Sequence, residues 1–274
     1  MAKAAAGTMT FEQLQEIMPD AVATEWHQHQ NGGGWVQNTA QVSGTALVCG
    51  EALVYGDAQV FGDATVFGEA KVFGEAKVYG HAKICGNAQV SGNTRVYGDA
   101  EVFGDATVYG HAQVFGEAQV YGEAQVSGDA QIFGNAQVFG DAQVCGDTWA
   151  TPPLYIQPSA HTVTVSSYTE VSIGCKRHSV DWWLKHYAEV GKDENYSDAQ
   201  VEEYRLVLRF VKQWMEQRDF DTVIDAAIAV IPPTNCRPKC TACGDQPLQV
   251  KQDQCGLAFC DKCYEEMRRG CNEE

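Results

Sequence analysis

Between Val36 and Thr148 the chain has no proline, no inserted loop and only four basic residues. Proline lacks the backbone donor, so its absence leaves every N–H of this stretch available to a ladder. Over all 274 residues Lys and Arg number 19 against 36 Asp and Glu, a formal net charge of −17. A surface that neutralises phosphates needs the opposite balance, so direct binding of DNA or RNA is not expected. No apolar run reaches membrane-spanning length, and no charged-then-apolar leader opens the sequence. Those absences predict a cytoplasmic protein without a membrane partner.

What fills the proline-free stretch is one six-residue phrase: aliphatic, variable, Gly, polar, Ala, polar. The aliphatic residue recurs at every sixth position from Val36 to Val144, with Ile84 and Ile132 as the only replacements, and Gly follows two residues later from Gly44 to Gly146. A fixed short period means a solenoid, because no single unit can bury its apolar residue alone but stacked units build one core. The aliphatic residue points inward, the small Ala fills a corner, and Gly followed by Asp, Glu or Asn supplies the turn. Three units close a coil of eighteen residues. These motifs resemble the left-handed parallel β-helix of the hexapeptide-repeat superfamily, the fold of many bacterial acyltransferases. The resemblance implies about six coils, or ~29 Å of column at ~4.8 Å per strand.

The residue after each aliphatic one faces outward and is mostly aromatic. Phe61, Tyr79, Tyr97, Phe115 and Phe133 fall on one face, and Phe67, Cys85, Phe103, Tyr121 and Phe139 on a second. The third carries Tyr55, Phe73, Ser91, Tyr109 and Ser127. Stacked rings stabilise neighbouring coils. A long aromatic face also exceeds what a soluble monomer leaves bare, so a second subunit, the C-terminal helices or a foreign partner is expected to cover at least one of them. The repeat adds thirteen acids, from Glu51 to Asp147, against Lys71, Lys77, Lys83 and Arg95. They sit mainly at the turns, either as a solubilising surface or as an acidic rod that imitates nucleic acid and occupies its binding proteins.

The expected organisation is a helix and cap over residues 1–35, the β-helix over 36–149, a hairpin and helical domain over 150–233, and a Cys-rich module over 234–274. Thr10 can cap a helix over Phe11, Leu14, Ile17 and Met18, which with Gly32-Gly33-Gly34-Trp35 is expected to plug the first coil. His27 and His29 are expected to be solvated, not ligands. After Pro152-Pro153, residues 161–165 and 169–173 read as a hairpin. Ser179 caps a helix stopped by Gly191, Ser197 caps a longer one with a stripe at Val201, Tyr204, Leu208, Val211 and Trp214-Met215, and a third runs from Phe220 to Ile231. The Gly-Gly-Trp-Val lead-in and Ile173-Gly174-Cys175-x-x-His178, taken as a strand-to-helix junction, are similar to stretches of uncharacterised prophage and bacterial hexapeptide-repeat proteins. Cys175 and His178 are a weak candidate pair for a metal or for a nucleophile and its base, with a structural role favoured.

Seven of the eleven cysteines lie in the last forty residues. Cys240-x-x-Cys243 and Cys260-x-x-Cys263 have the two-knuckle spacing of a tetrahedral four-thiolate zinc site, with Cys236, Cys255 and Cys271 as possible substitutes. Four Cys ligands leave no open coordination position, so this zinc is structural. The run from Cys255 to Cys263 resembles a RING-like treble clef, but Leu257 stands where that family has a histidine, which argues against a second zinc. An acyltransferase would need a catalytic histidine and acetyl-CoA. Only His81 and His111 occur in the repeat, on different corners and without an evident orienting carboxylate or a cleft. The expected function is therefore a non-enzymatic interaction protein, phage-encoded by resemblance. It is expected to associate as a dimer or trimer in the host cytoplasm and to bind, inhibit or occlude a host macromolecule such as a defence complex.

Overall fold

The computed structural model describes residues 9–43, 45–217, 251–252 and 258–259. Two compact units divide the chain, Met1–Phe220 and Asp221–Glu274. Of the second, the described part is an antiparallel strand pair, Lys251–Gln252 with Ala258–Phe259.

In the first unit the hexapeptides form a parallel β-solenoid of about six turns. Each unit contributes a strand too short to stand alone. In Ala58-Gln59-Val60 the outer two residues are fully buried, while Gln59 alternates outward. Ala therefore points into the core like the aliphatic residue two positions later, at the place where the turn passes into the strand. The corner belongs to the aromatic–Gly–acid triplet. Hydrogen bonds tie each coil to the next: Gln59 N–H to Ala76 O at 2.8 Å, and Phe61 N–H to Val78 O at 3.0 Å. From Glu69 upward the turns join as well, as in His81 N–H to Gly98 O at 2.8 Å.

Three parallel sheets result. Sheet 1 runs from Trp35–Gln37 through Leu53–Val54 to Gln143–Val144, sheet 2 from Gln41–Val42 to Thr148–Trp149, and sheet 3 from Leu47–Val48 to Gln137–Val138. The register steps by eighteen residues, as Val60 opposite Val78 shows. At the far end it shortens by one, for Ile132 pairs with Trp149. Asp147 takes up the difference with φ 61°, and the Trp149 indole fills the last inward place at 2% exposure.

Helix α1, Phe11–Ile17, is capped by Thr10 as expected, and Gln13 completes a capping box with it. Its Leu14 packs with Met9, Trp26, Trp35 and Leu53 in a cluster apart from the main core. Trp35 and Leu53 precede the inward Val36 and Val54, so they face out of the column. The helix thus covers a side of the first coils instead of plugging their end. The end is met by strand Trp26–Gln28, antiparallel to Trp35–Gln37, and by the glycine loop, where Gly34 N–H reaches Val48 O at 2.9 Å. A Cβ on Gly34 would sit 2.7 Å from Val48 Cγ1, which is why no side chain fits there.

Beyond Trp149 a four-stranded antiparallel sheet continues the column, joined by Cys145 N–H to Ser166 O at 3.0 Å. The expected hairpin forms its centre, Val163–Val165 with Glu170–Ile173, and Tyr155–Ile156 and Lys176–Ser179 flank it. Helices α2, Val180–Asp193, and α3, Asp198–Gln217, pack over this sheet, each with its expected serine cap. Trp183, Tyr204, Leu208, Val211 and Met215 join the valines of the column in one continuous core. Gly191 does not stop α2. It lies buried inside the helix, where a Cβ would meet Val201 Cγ2 of α3 at 2.9 Å, so the packing of α3 uses its missing side chain. The expected third helix, from Phe220 to Ile231, lies outside the described residues. Among the described residues no helix is long and apolar enough to cross a membrane.

Three substitutions test this packing. Gly86 has φ +68°, and its absent Cβ would approach Gly104 O to 2.9 Å. Gly86→Ala should cost about 2–3 kcal/mol in chemical denaturation, from backbone strain and displacement of the next coil. Gly146, with nothing within 4 Å of its Cβ position, should tolerate Ala within about 0.5 kcal/mol. Thr94 is the one departure from Ala in the inward slot between Ala40 and Ala142, and its buried hydroxyl has no hydrogen-bond partner. Thr94→Val keeps the shape and removes that oxygen, so it should stabilise by about 1 kcal/mol.

Candidate functional site

The outward positions form ladders because each coil repeats the last. Phe61, Tyr79, Tyr97 and Phe115 stack with centroids 4.9 Å apart and planes within 1°, and Phe133 follows at 5.2 Å. Each ring covers its neighbours' faces, so Tyr79 and Phe133 are only 7% and 6% exposed. On the second edge Phe103, Tyr121 and Phe139 stack at 4.9 and 5.7 Å, whereas Phe67 stands between Cys49 and Cys85 and stays open. On the third, Tyr55 and Phe73 stack at 4.9 Å and Tyr109 is exposed. Neighbour packing therefore accounts for most of the ring area. What remains outside is ring edges plus two open rings.

Polar side chains form ladders as well. On sheet 3, Lys83 Nζ donates to Glu101 at 2.9 Å, Gln119 Nε2 donates to Glu101 at 3.3 Å, and Gln137 Nε2 donates to Gln119 at 3.3 Å. The exposed Lys83 ammonium is raised in pKa by its bond to Glu101. At the corners Asn87 donates to Asp105 at 2.7 Å, one coil above it. Within the repeat the remaining acids line the corners as the sequence predicts.

The two candidate histidines stay apart. His81 Nδ1 lies 3.7 Å from Asp63 Oδ2, with both side chains more than half exposed. A carboxylate eighteen residues earlier in the chain is thus near His81, but outside hydrogen-bond range, so it does not orient the ring. His111 lines an open depression with the polar and charged side chains of Glu75, Lys77, Asn93 and Arg95. Both histidines occupy solvated turns, where a proton donor or acceptor has no desolvated setting to work in.

Cys175 and His178 are not brought together as a site. Gly174 and Cys175 are the two turn residues of a hairpin between Glu170–Ile173 and Lys176–Ser179, with Gly174 at φ 55°. The motif is therefore a strand-to-strand turn and not a strand-to-helix junction. Cys175 is exposed, and the His178 ring stacks on Trp182 at 3.6 Å, with His186 stacked on the same indole at 4.3 Å. Nearer the N-terminus, His27 is exposed and accompanies Asn38 at 3.0 Å, but His29 is buried, 3.2 Å from Asn31 O. Among the described residues no group of three His, Cys, Asp or Glu side chains is placed to hold a metal. Burial pushes the Cys49, Cys85 and Cys145 thiols up, so they remain protonated and unreactive near neutral pH. Cys236, Cys240, Cys243, Cys255, Cys260, Cys263 and Cys271 lie outside the described residues.

One polar cluster had no signal in the sequence. Tyr204 OH donates to His161 O at 2.6 Å, the His161 ring meets Tyr196 OH, and Ser159 bonds Glu203. Burial, then the Tyr204 hydroxyl, pushes the Tyr196 phenol far up. These contacts fasten α3 and the turn before it to the connection between Tyr155–Ile156 and Val163–Val165, and their partners are separated by at least 35 residues.

The family described as YdcK Beta solenoid repeat is matched at residues 130–146. No curated protein and no solved structure matches the chain. With the parallel coils and their eighteen-residue register, that match identifies the column as a β-solenoid of the repeat β-helix kind.

Proposed function

We propose that this chain is a non-enzymatic interaction scaffold of phage or prophage type. In this reading a left-handed β-helix presents acidic corners and aromatic edges to a host macromolecule, and a structural zinc module extends the binding surface. The observation that carries it is the uninterrupted ladder. Strands from Leu53 to Val144 follow one another without a loop that could wall a cleft, and the depression beside His111 is open and polar. Such a surface suits recognition by shape and charge over many coils. Self-association, as a dimer or trimer, belongs to the same reading, since the open rings of Phe67 and Tyr109 are apolar area that a contact would bury.

The acidic corners supply the specificity. One corner carries Glu51, Glu69, Asp105, Glu123 and Asp141 at intervals of whole coils. A partner adapted to nucleic acid would meet a charge row of similar sign, which is the decoy form of the proposal. Capture from host extract should be lost when Glu69, Asp105 and Glu123 are changed to Lys while the circular dichroism spectrum is kept. Retained capture would remove the corner from the interface.

A competing reading is acetyl-CoA-dependent acyl transfer, favoured by the Asp63 carboxylate beside His81. It requires amine acetylation by the purified protein, reduced at least about a hundred-fold by His81→Ala or His111→Ala. On the scaffold reading no acetylation above background is measured, and both variants bind the partner as before.

For the zinc module the support is the two-knuckle spacing and the strand Ala258–Phe259 that leads directly into Cys260. Metal analysis of the whole chain should return about one zinc equivalent, falling to near zero on Cys240→Ser or Cys263→Ser. An unchanged or absent metal content would reject the assignment.

A further inference from the structure

The third outward edge of the column differs from the other two in the order of its side-chain sizes. After the inward aliphatic residue of each strand of sheet 1 come Tyr55, Phe73, Ser91, Tyr109, Ser127 and Cys145, one per coil. Stacked neighbours stand 4.9 Å apart. The missing ring at Ser91 therefore leaves a gap two coil steps wide between Phe73 and Tyr109, enough for one further ring. Tyr109, with a serine on either side, is 41% exposed, the most open ring of the column.

Read from its other end, the same edge runs Cys145, Ser127, Tyr109, Ser91, Phe73, Tyr55. A two-fold axis between the levels of Ser91 and Tyr109 sets Tyr55 against Cys145, Phe73 against Ser127, and Tyr109 against Ser91, and then the same three pairs in reverse. Every pair joins one large residue to one small one. A two-fold contact demands this self-complementarity, because residue i meets j while j meets i. Neither other edge has it. The edge after sheet 2 sets ring against ring in any central register, and the edge after sheet 3, reversed about its centre, sets Phe67 against Tyr121.

We propose that this gapped edge binds a second copy of the chain, antiparallel, each Tyr109 seated over the partner's Ser91. The proposal rests on the scaffold reading for its premise of self-association and selects a dimer over a trimer. The flanking polar positions fit the same axis. Asn93 and His111, both on the depression described above, come opposite each other twice, so that an amide oxygen can accept from an imidazole N–H. Toward the ends Glu75 faces Asp129, a like-charge pair that added salt would screen. At the ends of the edge Tyr55 already leans on Trp26 and Cys145 on Ser166, so the four free levels from Phe73 to Ser127 make a stripe ~19 Å long, and at ~15 Å width that is roughly 290 Å² per partner, about a third of a standard interface. A weak, reversible dimer follows.

Sedimentation velocity on the full chain should show dimerisation with Kd on the order of 10⁻⁵ M, tightening as salt rises. Ser91→Tyr fills the gap with a ring that stacks between Phe73 and Tyr109, so the column folds. It should nevertheless weaken the dimer about thirty-fold or more. Combining Ser91→Tyr with Tyr109→Ser exchanges knob and gap under the same axis and should restore the dimer to within about threefold. Phe115→Ser, on the unbroken edge, should leave it unchanged. A monomer at about 200 μM, a trimer, or an exchange variant no better than Ser91→Tyr alone would overturn the proposal. A monomer that still captures a host macromolecule would overturn the dimer but not the scaffold reading, and a dimer that captures nothing would do the reverse.

Discussion

Everything in the column depends on one hydrogen-bond ladder closing on itself every eighteen residues. Gln59, Phe61 and their counterparts in later coils each donate to the coil above, and so do the turns from Glu69 on. That leaves little backbone freedom at any corner. From Gly50 to Gly122 each corner glycine takes a positive φ with the glycine of the next coil about 3 Å from where its Cβ would be. Glycine at these corners is thus a condition for stacking, alongside the valine core. Because the backbone repeats so strictly, the outward side chains have no choice but to align as well. Ring stacks, amide chains and acidic rows all follow from this spacing, whatever they do for function.

That strictness explains why so much of the column was legible in the sequence. Period six gave the sheets, the register and the membership of each outward ladder, because a residue eighteen positions away is a neighbour in space. The same rule could have found Asp63 beside His81, which inspection of local sequence passed over. Outside the repeat, legibility fell with the absence of such a rule. Lys176–Ser179 is a strand made of Lys, Arg, His and Ser, held by its neighbour and not by an apolar pattern. Gly191 looks like a helix stop by residue type, yet the approach of Val201 uses its missing side chain. Helix α1 was expected over the open end because ends need covering. Trp35 and Leu53, apolar at outward positions, already marked the side that it covers.

The candidate site shows the same contrast. The ladders were placed correctly, but the degree to which rings bury one another is a property of the 4.9 Å spacing, and sequence alone overstated the exposed apolar area. Most of the stacked aromatic surface is internal to the ladder. Exposed ring area therefore concentrates where a ladder breaks, at Phe67 beside Cys85 and at Tyr109 between two serines. Irregularities carry more information than the regular positions around them. Thr94, Ser91 and the basic pair Lys77 and Arg95, register partners on neighbouring coils, all fall within little more than one coil.

The one-residue shortening at Asp147 has a consequence for how such a chain can change length. It fixes the angular position at which the antiparallel sheet and its helices leave the column, through the pairing of Trp149 with Ile132 and of Cys145 with Ser166. Duplicating a single hexapeptide would keep every coil intact yet swing that exit by a third of a turn, onto a different side of the rod. Only duplication or loss in blocks of eighteen residues preserves the bearing of the C-terminal sheet. The lineage of this chain is thus free to lengthen by whole coils and constrained against smaller steps, so rod length should vary among descendants in quanta, not continuously.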